Sequence, residues 1–178
     1  MAKRKSKKKV SFNIVPVVLL VLAVLVIALG SLAGVTADLG IEGVENPTYT
    51  LYQVTFGHEY VAGGVADLVE GKTAIDFSFL ACLGMFLPLV GAVIALALRK
   101  KKLGGILSLV CFLGSAILLF LVPQVTSVTS TLTVLGKTTT TTKSMADLGW
   151  TLGIGSIITG AISGVGTLLS VVHIVKAK

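Results

Sequence analysis

A chain of 178 residues that is 54% hydrophobic, 13% charged and has a mean hydropathy of +0.96 carries too little polar surface for a water-soluble globule. The composition requires an integral membrane protein, and four spans of roughly 20 residues each would use about half the length, which excludes a separate enzyme domain. The net charge is +7, and the two cysteines, Cys82 and Cys111, both lie within apolar runs, so they read as helix-packing thiols and not as a disulfide framework.

The first eleven residues hold six cations, Lys3, Arg4, Lys5, Lys7, Lys8 and Lys9. A basic tail beside a span attracts anionic lipid headgroups at about 1 kcal/mol per charge, and phosphorylation of Ser6 would weaken that attraction. Residues 12–36, FNIVPVVLLVLAVLVIALGSLAGVT, contain no charge and are expected to form transmembrane helix 1. A cleaved leader competes for this stretch, because GVTA precedes Asp38. The apolar run is longer than the roughly 7–15 residues of a leader core, so retention is expected. SLAG followed by Val35 lacks a lipoprotein cysteine, and no lipid anchor is expected.

Residues 37–76 form the first outer loop. Its segment TYTLYQVTF alternates as a strand does, with Thr48, Thr50, Tyr52, Val54 and Phe56 on one face and Tyr49, Leu51, Gln53 and Thr55 on the other. VADLVEG, ending at Gly71, predicts one or two helical turns. Transmembrane helix 2 is expected at 77–98, kinked at Pro88, which removes one helix hydrogen bond. A basic cytoplasmic loop, Arg99, Lys100, Lys101 and Lys102, leads into helix 3 at 103–122 and offers a second lipid-headgroup contact. In the second outer loop, 123–148, the β-branched runs SVTSTLTVL and TTTTT flank a Gly136-Lys137 turn and predict a hairpin. A lone hairpin is marginal in water, so the two outer loops are expected to merge into one small antiparallel sheet over the helix ends. Helix 4 follows at 149–175, and residues 176–178 close the chain.

Four spans place both termini on one side, and charge decides which. The tail, the 99–102 loop, Lys176 and Lys178 put twelve of fifteen cations on the predicted cytoplasmic face, while all eight carboxylates, Asp38, Glu42, Glu45, Glu59, Asp67, Glu70, Asp76 and Asp147, fall outside. The expected fold is therefore an all-α transmembrane four-helix bundle with a small extracytoplasmic β cap, in the cell membrane with both termini cytoplasmic.

Chemistry-bearing motifs are weak. Gly71-Lys72-Thr73 and Gly136-Lys137-Thr138 spell the end of a phosphate loop, but the first glycine of G-x-x-x-x-G-K-[ST] is Ala66 in one and Thr131 in the other. Both face away from cytoplasmic ATP, so no nucleotide is expected. His58-Glu59 is not H-E-x-x-H, since Ala62 stands at the last position. Glu59, Asp67 and Glu70 read as solvated surface and topology determinants before they read as a cation site. No catalytic set, metal or other cofactor is expected, and the basic segments favour lipid over nucleic acid. No carboxylate, Lys or Arg lies at mid-membrane, and His173 is expected at the interface, which argues against a monomeric carrier.

Small residues recur three and four apart in every span, a pattern that permits close helix approach. They are Gly30 and Gly34 in the first, and Gly84, Pro88, Gly91 and Ala95 in the second. The third has Gly104, Ser108, Cys111 and Ser115, and the fourth Gly149, Gly153, Ser156, Gly160, Gly164 and Thr167. These stripes predict packing among the helices or against a partner, either a second copy or another membrane protein. The functional expectation is a non-enzymatic structural, interaction or accessory subunit, with a small oligomeric channel or transporter component as the alternative.

Four spans, inward termini and two β-forming outer loops, the first longer than the second, resemble the claudin-like tetraspan arrangement. Small four-span proteins of bacteria match equally well. The claudin signature W…GLW…C…C is absent from residues 37–76, so the resemblance implies topology and transfers no residue role.

Overall fold

The structure is a computed structural model that describes residues 13–37, 47–62, 69–134 and 137–177. Helix α1, Val15–Ala28, starts with Pro16 in its first turn, where a missing N–H is tolerated. It does not continue to Thr36 as expected. One 3-10 turn, Leu29–Ser31, ends it, and the chain extends into strand β1, Ala33–Ala37. Gly30, Gly34 and the β-branched pair Val35-Thr36 are poor helix formers, so hydropathy continues while helix does not.

Strand β1 is the centre of a three-stranded antiparallel sheet, between β2, Thr48–Thr50, and β7, Trp150–Leu152. The expected strand through Phe56 is corrected here, because Leu51–Phe56 forms helix α2. Thr50 and Gln53 make a reciprocal capping box: the Thr50 hydroxyl accepts from the Gln53 N–H, and the Gln53 carboxamide accepts from the Thr50 N–H. Two satisfied donors at the helix start outweigh the alternating pattern.

A second sheet has the order β3-β4-β5-β6, all antiparallel, from β3 His58–Ala62, β4 Val69–Ile75, β5 Ser127–Val134 and β6 Lys137–Ser144. Here segments 37–76 and 123–148 join through β4 and β5, and the hairpin β5–β6 forms with Lys137 already paired in β6; the single sheet expected is corrected to two. The helical turns expected over VADLVEG are replaced at Val69, Glu70 and Gly71 by β4, and residues 65–68 lie outside the described residues.

Three helices are long and apolar enough to cross a membrane: α3 Phe79–Ala97, α4 Lys102–Phe120 and α6 Ile154–Lys176. The third span stops at Phe120 because Pro123, in the short α5 Val122–Val125, has no N–H to extend the ladder. The fourth starts five residues later than expected, after Gly149 turns the chain at φ 80° and β7 joins the sheet. Helices α1, α3, α4 and α6 pack as a closed ring, α1 on α3 and α6, α4 on the same two. The start of α1 and the end of α6 share one end with the 98–101 turn, and both sheets sit at the other.

Two apolar clusters hold this arrangement. Val26, Val35, Leu51, Val54, Ile75, Met85, Leu119, Val122, Val128 and Met145 join helices to sheets. Val15, Leu19, Ala23, Ala92, Ala95 and Phe112 fill the far half.

Candidate helix-packing seam

The helix surfaces are inverted relative to a soluble protein. Val17, Val21 and Val24 of α1, Val90 and Val93 of α3, Ile106, Val110 and Ile117 of α4, and Val165, Leu168 and Val175 of α6 point outward. Ser108, Ser115, Ser156, Thr159, Ser163, Ser170 and His173 are fully buried between helices. Hydroxyls turned inward and aliphatics turned outward are what a hydrocarbon surrounding selects.

The inward hydroxyls link the elements. Pro88 supplies no N–H to the carbonyl of Gly84, four residues earlier in α3, and the Ser115 hydroxyl of α4 donates to that carbonyl at 2.5 Å. Ser115 Oγ lies 3.0 Å from Ser163 Oγ of α6, so one chain of hydrogen bonds crosses three helices. Lower in the bundle Ser108 and Ser170 meet at 3.0 Å, and Ser170 donates to the Gly166 carbonyl. At the sheet end Ser156 and the Gly153 N–H both donate to the Gly34 carbonyl, at 2.8 and 2.9 Å. At the basic end His173 Nδ1 is 3.4 Å from the Asn13 amide nitrogen, and its Nε2 is buried without a partner among the described residues. His173 lies in the last turn of α6, at the expected end of the span, with its side chain buried and not exposed.

Most predicted small residues sit at close approaches. A Cβ on Gly84 would stand 3.0 Å from Leu118 Cβ, and one on Gly91 2.7 Å from Cys111 Cβ, which fits α3 tightly to α4. Gly160 faces the Phe120 ring at 3.0 Å. Gly30, Gly34 and Gly153 also admit no side chain, but their neighbours are Tyr52, the Leu51 backbone and the Ala33 carbonyl, so they seat sheet and α2 on the bundle end instead of pairing two helices. The Tyr52 hydroxyl donates to the Ile27 carbonyl at the end of α1. Gly104 packs on Leu98 in the turn between α3 and α4.

Two of these glycines make no packing contact among the described residues. Gly149 has open space around it and serves the turn before β7, and Gly164 likewise meets nothing within 4 Å. The glycine that fits α6 to α4 is Gly166, where a Cβ would run into the Phe112 ring; Gly105 plays the matching part on α4 against Ile174 and His173. Strict spacing of four from Gly160 selects Gly164, whereas the buried stripe runs Gly155, Ser156, Thr159, Gly160, Ser163, Gly166, Ser170. Following every small or hydroxyl residue at alternating steps of three and four would have found it.

Arg99, Lys100, Lys101 and Lys102 are exposed around the start of α4. Lys3, Arg4, Lys5, Lys7, Lys8 and Lys9, with Gly136 and Asp67, lie outside the described residues. Gly71-Lys72-Thr73 lies inside strand β4, not in a loop before a helix, and Lys72 pairs with Glu59 of β3 at 2.9 Å; the Glu70 side chain, like Asp67, lies outside what the structure describes. Among the described residues no three His, Cys, Asp or Glu side chains gather as a metal site. Comparison with protein-family models, curated proteins and solved structures returns no match.

Proposed function

We propose that the chain is a non-enzymatic four-span protein of the cell membrane, with both termini and the 99–102 turn cytoplasmic and both sheets extracytoplasmic, acting as a structural or accessory subunit. The observation that carries this reading is the inverted polarity of the helix ring, aliphatic outside and hydroxyl-bearing inside. In this reading α1 is the fourth span, and Arg99 to Lys102 contact anionic headgroups. The claudin-like likeness stands as an outline of four spans and a β cap.

A pore through a single copy is disfavoured by the seam, whose hydroxyls bond one another and whose glycines leave no room for a methyl group. A channel would have to form between copies. The two readings separate in one experiment: purification in mild detergent with mass spectrometry of bound proteins, beside ion flux in vesicles of the isolated chain. Gly160, being turned inward, would report on the fold if enlarged; Gly164, open on the half-exposed side of α6, is the site that reports on a partner. Gly164→Leu is expected to release a co-purifying membrane protein while leaving the melting temperature within about a degree, as surface substitutions do. Steady cation flux from the isolated chain, with no partner captured, would overturn the accessory role.

A further inference from the structure

We infer that β6 is a docking edge for an extended, acid-flanked segment of a partner protein, which it binds as a fifth strand. In the order β3-β4-β5-β6 the outer backbone groups of β6 have no strand beside them among the described residues. The edge is eight residues long, roughly 26 Å. It contains neither Gly nor Pro, and every side chain from Lys137 to Lys143 is exposed. Such an edge is a template for strand addition unless something blunts it.

Charge and symmetry decide what can add. Lys137 and Lys143 stand opposite Val134 and Val128 of β5 and, being six residues apart, share one face of the sheet with Thr139 and Thr141. Behind them on that face, Leu132 and Val134 of β5 are exposed, at 48% and 38%. The segment Lys-Thr-Thr-Thr-Thr-Thr-Lys reads the same in both directions, so antiparallel pairing with a second copy centred on Thr140 sets Lys137 against Lys143 at both ends. Like charges directly opposite are destabilising, and the full-length self-pair is opposed. A strand with an acid at each end and β-branched residues between meets both lysines across the edge, and Thr139 and Thr141 between them. This contact lies beyond the membrane-level reading and does not depend on it, since its test reads peptide binding at β6 and not orientation or the number of spans.

The probe is a fluorescent synthetic peptide of alternating Val and Thr with Glu at both ends, spaced as Lys137 and Lys143 are. It is titrated against the full chain in detergent micelles, beside a Lys-ended counterpart and a version methylated at every backbone nitrogen. The Glu-ended peptide is expected to bind saturably and the Lys-ended one about tenfold more weakly, the scale of two cross-strand charge pairs. The methylated peptide should not bind, and the double variant K137E/K143E should reverse the charge preference. Absence of saturable binding, equal binding of the methylated peptide, or indifference to the charge reversal would each overturn the proposal. So would efficient disulfide dimerisation of Thr140→Cys through β6, which would assign the edge to a second copy.

Discussion

Pro88 stands in the middle of α3 with its ring fully inside the bundle, a place where proline ordinarily costs a helix about 3 kcal/mol. Part of that cost is the carbonyl left without a donor, and here the Ser115 hydroxyl takes the missing N–H's place on Gly84. Ser115→Ala should therefore cost about 1–3 kcal/mol, the scale of a buried unsatisfied carbonyl. In a Pro88→Ala background the restored N–H reaches the same carbonyl, and the cost of Ser115→Ala should fall toward the roughly 0.6 kcal/mol typical of hydrogen bonds between membrane helices. Reversible unfolding of the four chains of this cycle in micelles measures the difference; equal costs in both backgrounds would show that the proline and the serine are not coupled. Gly84, Pro88 and Ser115 each belong to small-residue stripes visible in the sequence, but which hydroxyl meets which carbonyl depends on how two helices are rotated, and spacing along one helix does not contain that.

At the scale of elements, apolar runs locate α3, α4 and α6 because a charge-free stretch of that length has few alternatives, and turn chemistry with β-branched runs locates β5 and β6. Element type fails where hydropathy and conformation part. Residues 33–37 are as apolar as a span but form β1, since the backbone of α6 at Gly153 and Gly155 admits a strand there and no side chain. In TYTLYQVTF the alternation reads as a strand until the reciprocal bonds of Thr50 and Gln53 start α2, and Gly57 at φ 88° ends it. That competition gives a prediction. Thr50→Ala should lower stability by about 0.5–2 kcal/mol, while Thr50→Ser, which keeps the accepting oxygen, should restore most of it. Thermal denaturation of the three chains in one detergent is the measurement, and an alanine variant as stable as the parent would mean that α2 is held by packing of Leu51 and Val54 alone.

For the molecule as a whole, the helices are unequal. Helix α6 has 23 residues and a length of roughly 35 Å, more than the ~30 Å hydrocarbon core, whereas α1 with its 3-10 turn reaches only about 27 Å. Under the proposed four-span reading, a bilayer fitted to α1 has one boundary where the chain enters β1, at the level of the first sheet. Exposed Phe56, Phe77 and Phe79 flank α2 and the start of α3 near that boundary, and their wholly apolar rings suit its hydrocarbon side. That placement leaves the second sheet in water, which suits β6, exposed from Lys137 to Lys143, and puts the exposed cations of the 99–102 turn at the opposite surface. Cysteine introduced at Thr139 should react with a membrane-impermeant thiol reagent on intact cells, and cysteine at Lys100 should react only after permeabilisation. Both positions are exposed, so accessibility within the fold does not bias the comparison, and replacing Cys82 and Cys111 by alanine removes the two half-buried native thiols. Labelling of Lys100→Cys on intact cells with Thr139→Cys protected would invert the orientation; equal labelling of both would place the two ends on one side and dismantle the four-span reading, because the helix ring puts the 98–101 turn and the sheets at opposite ends.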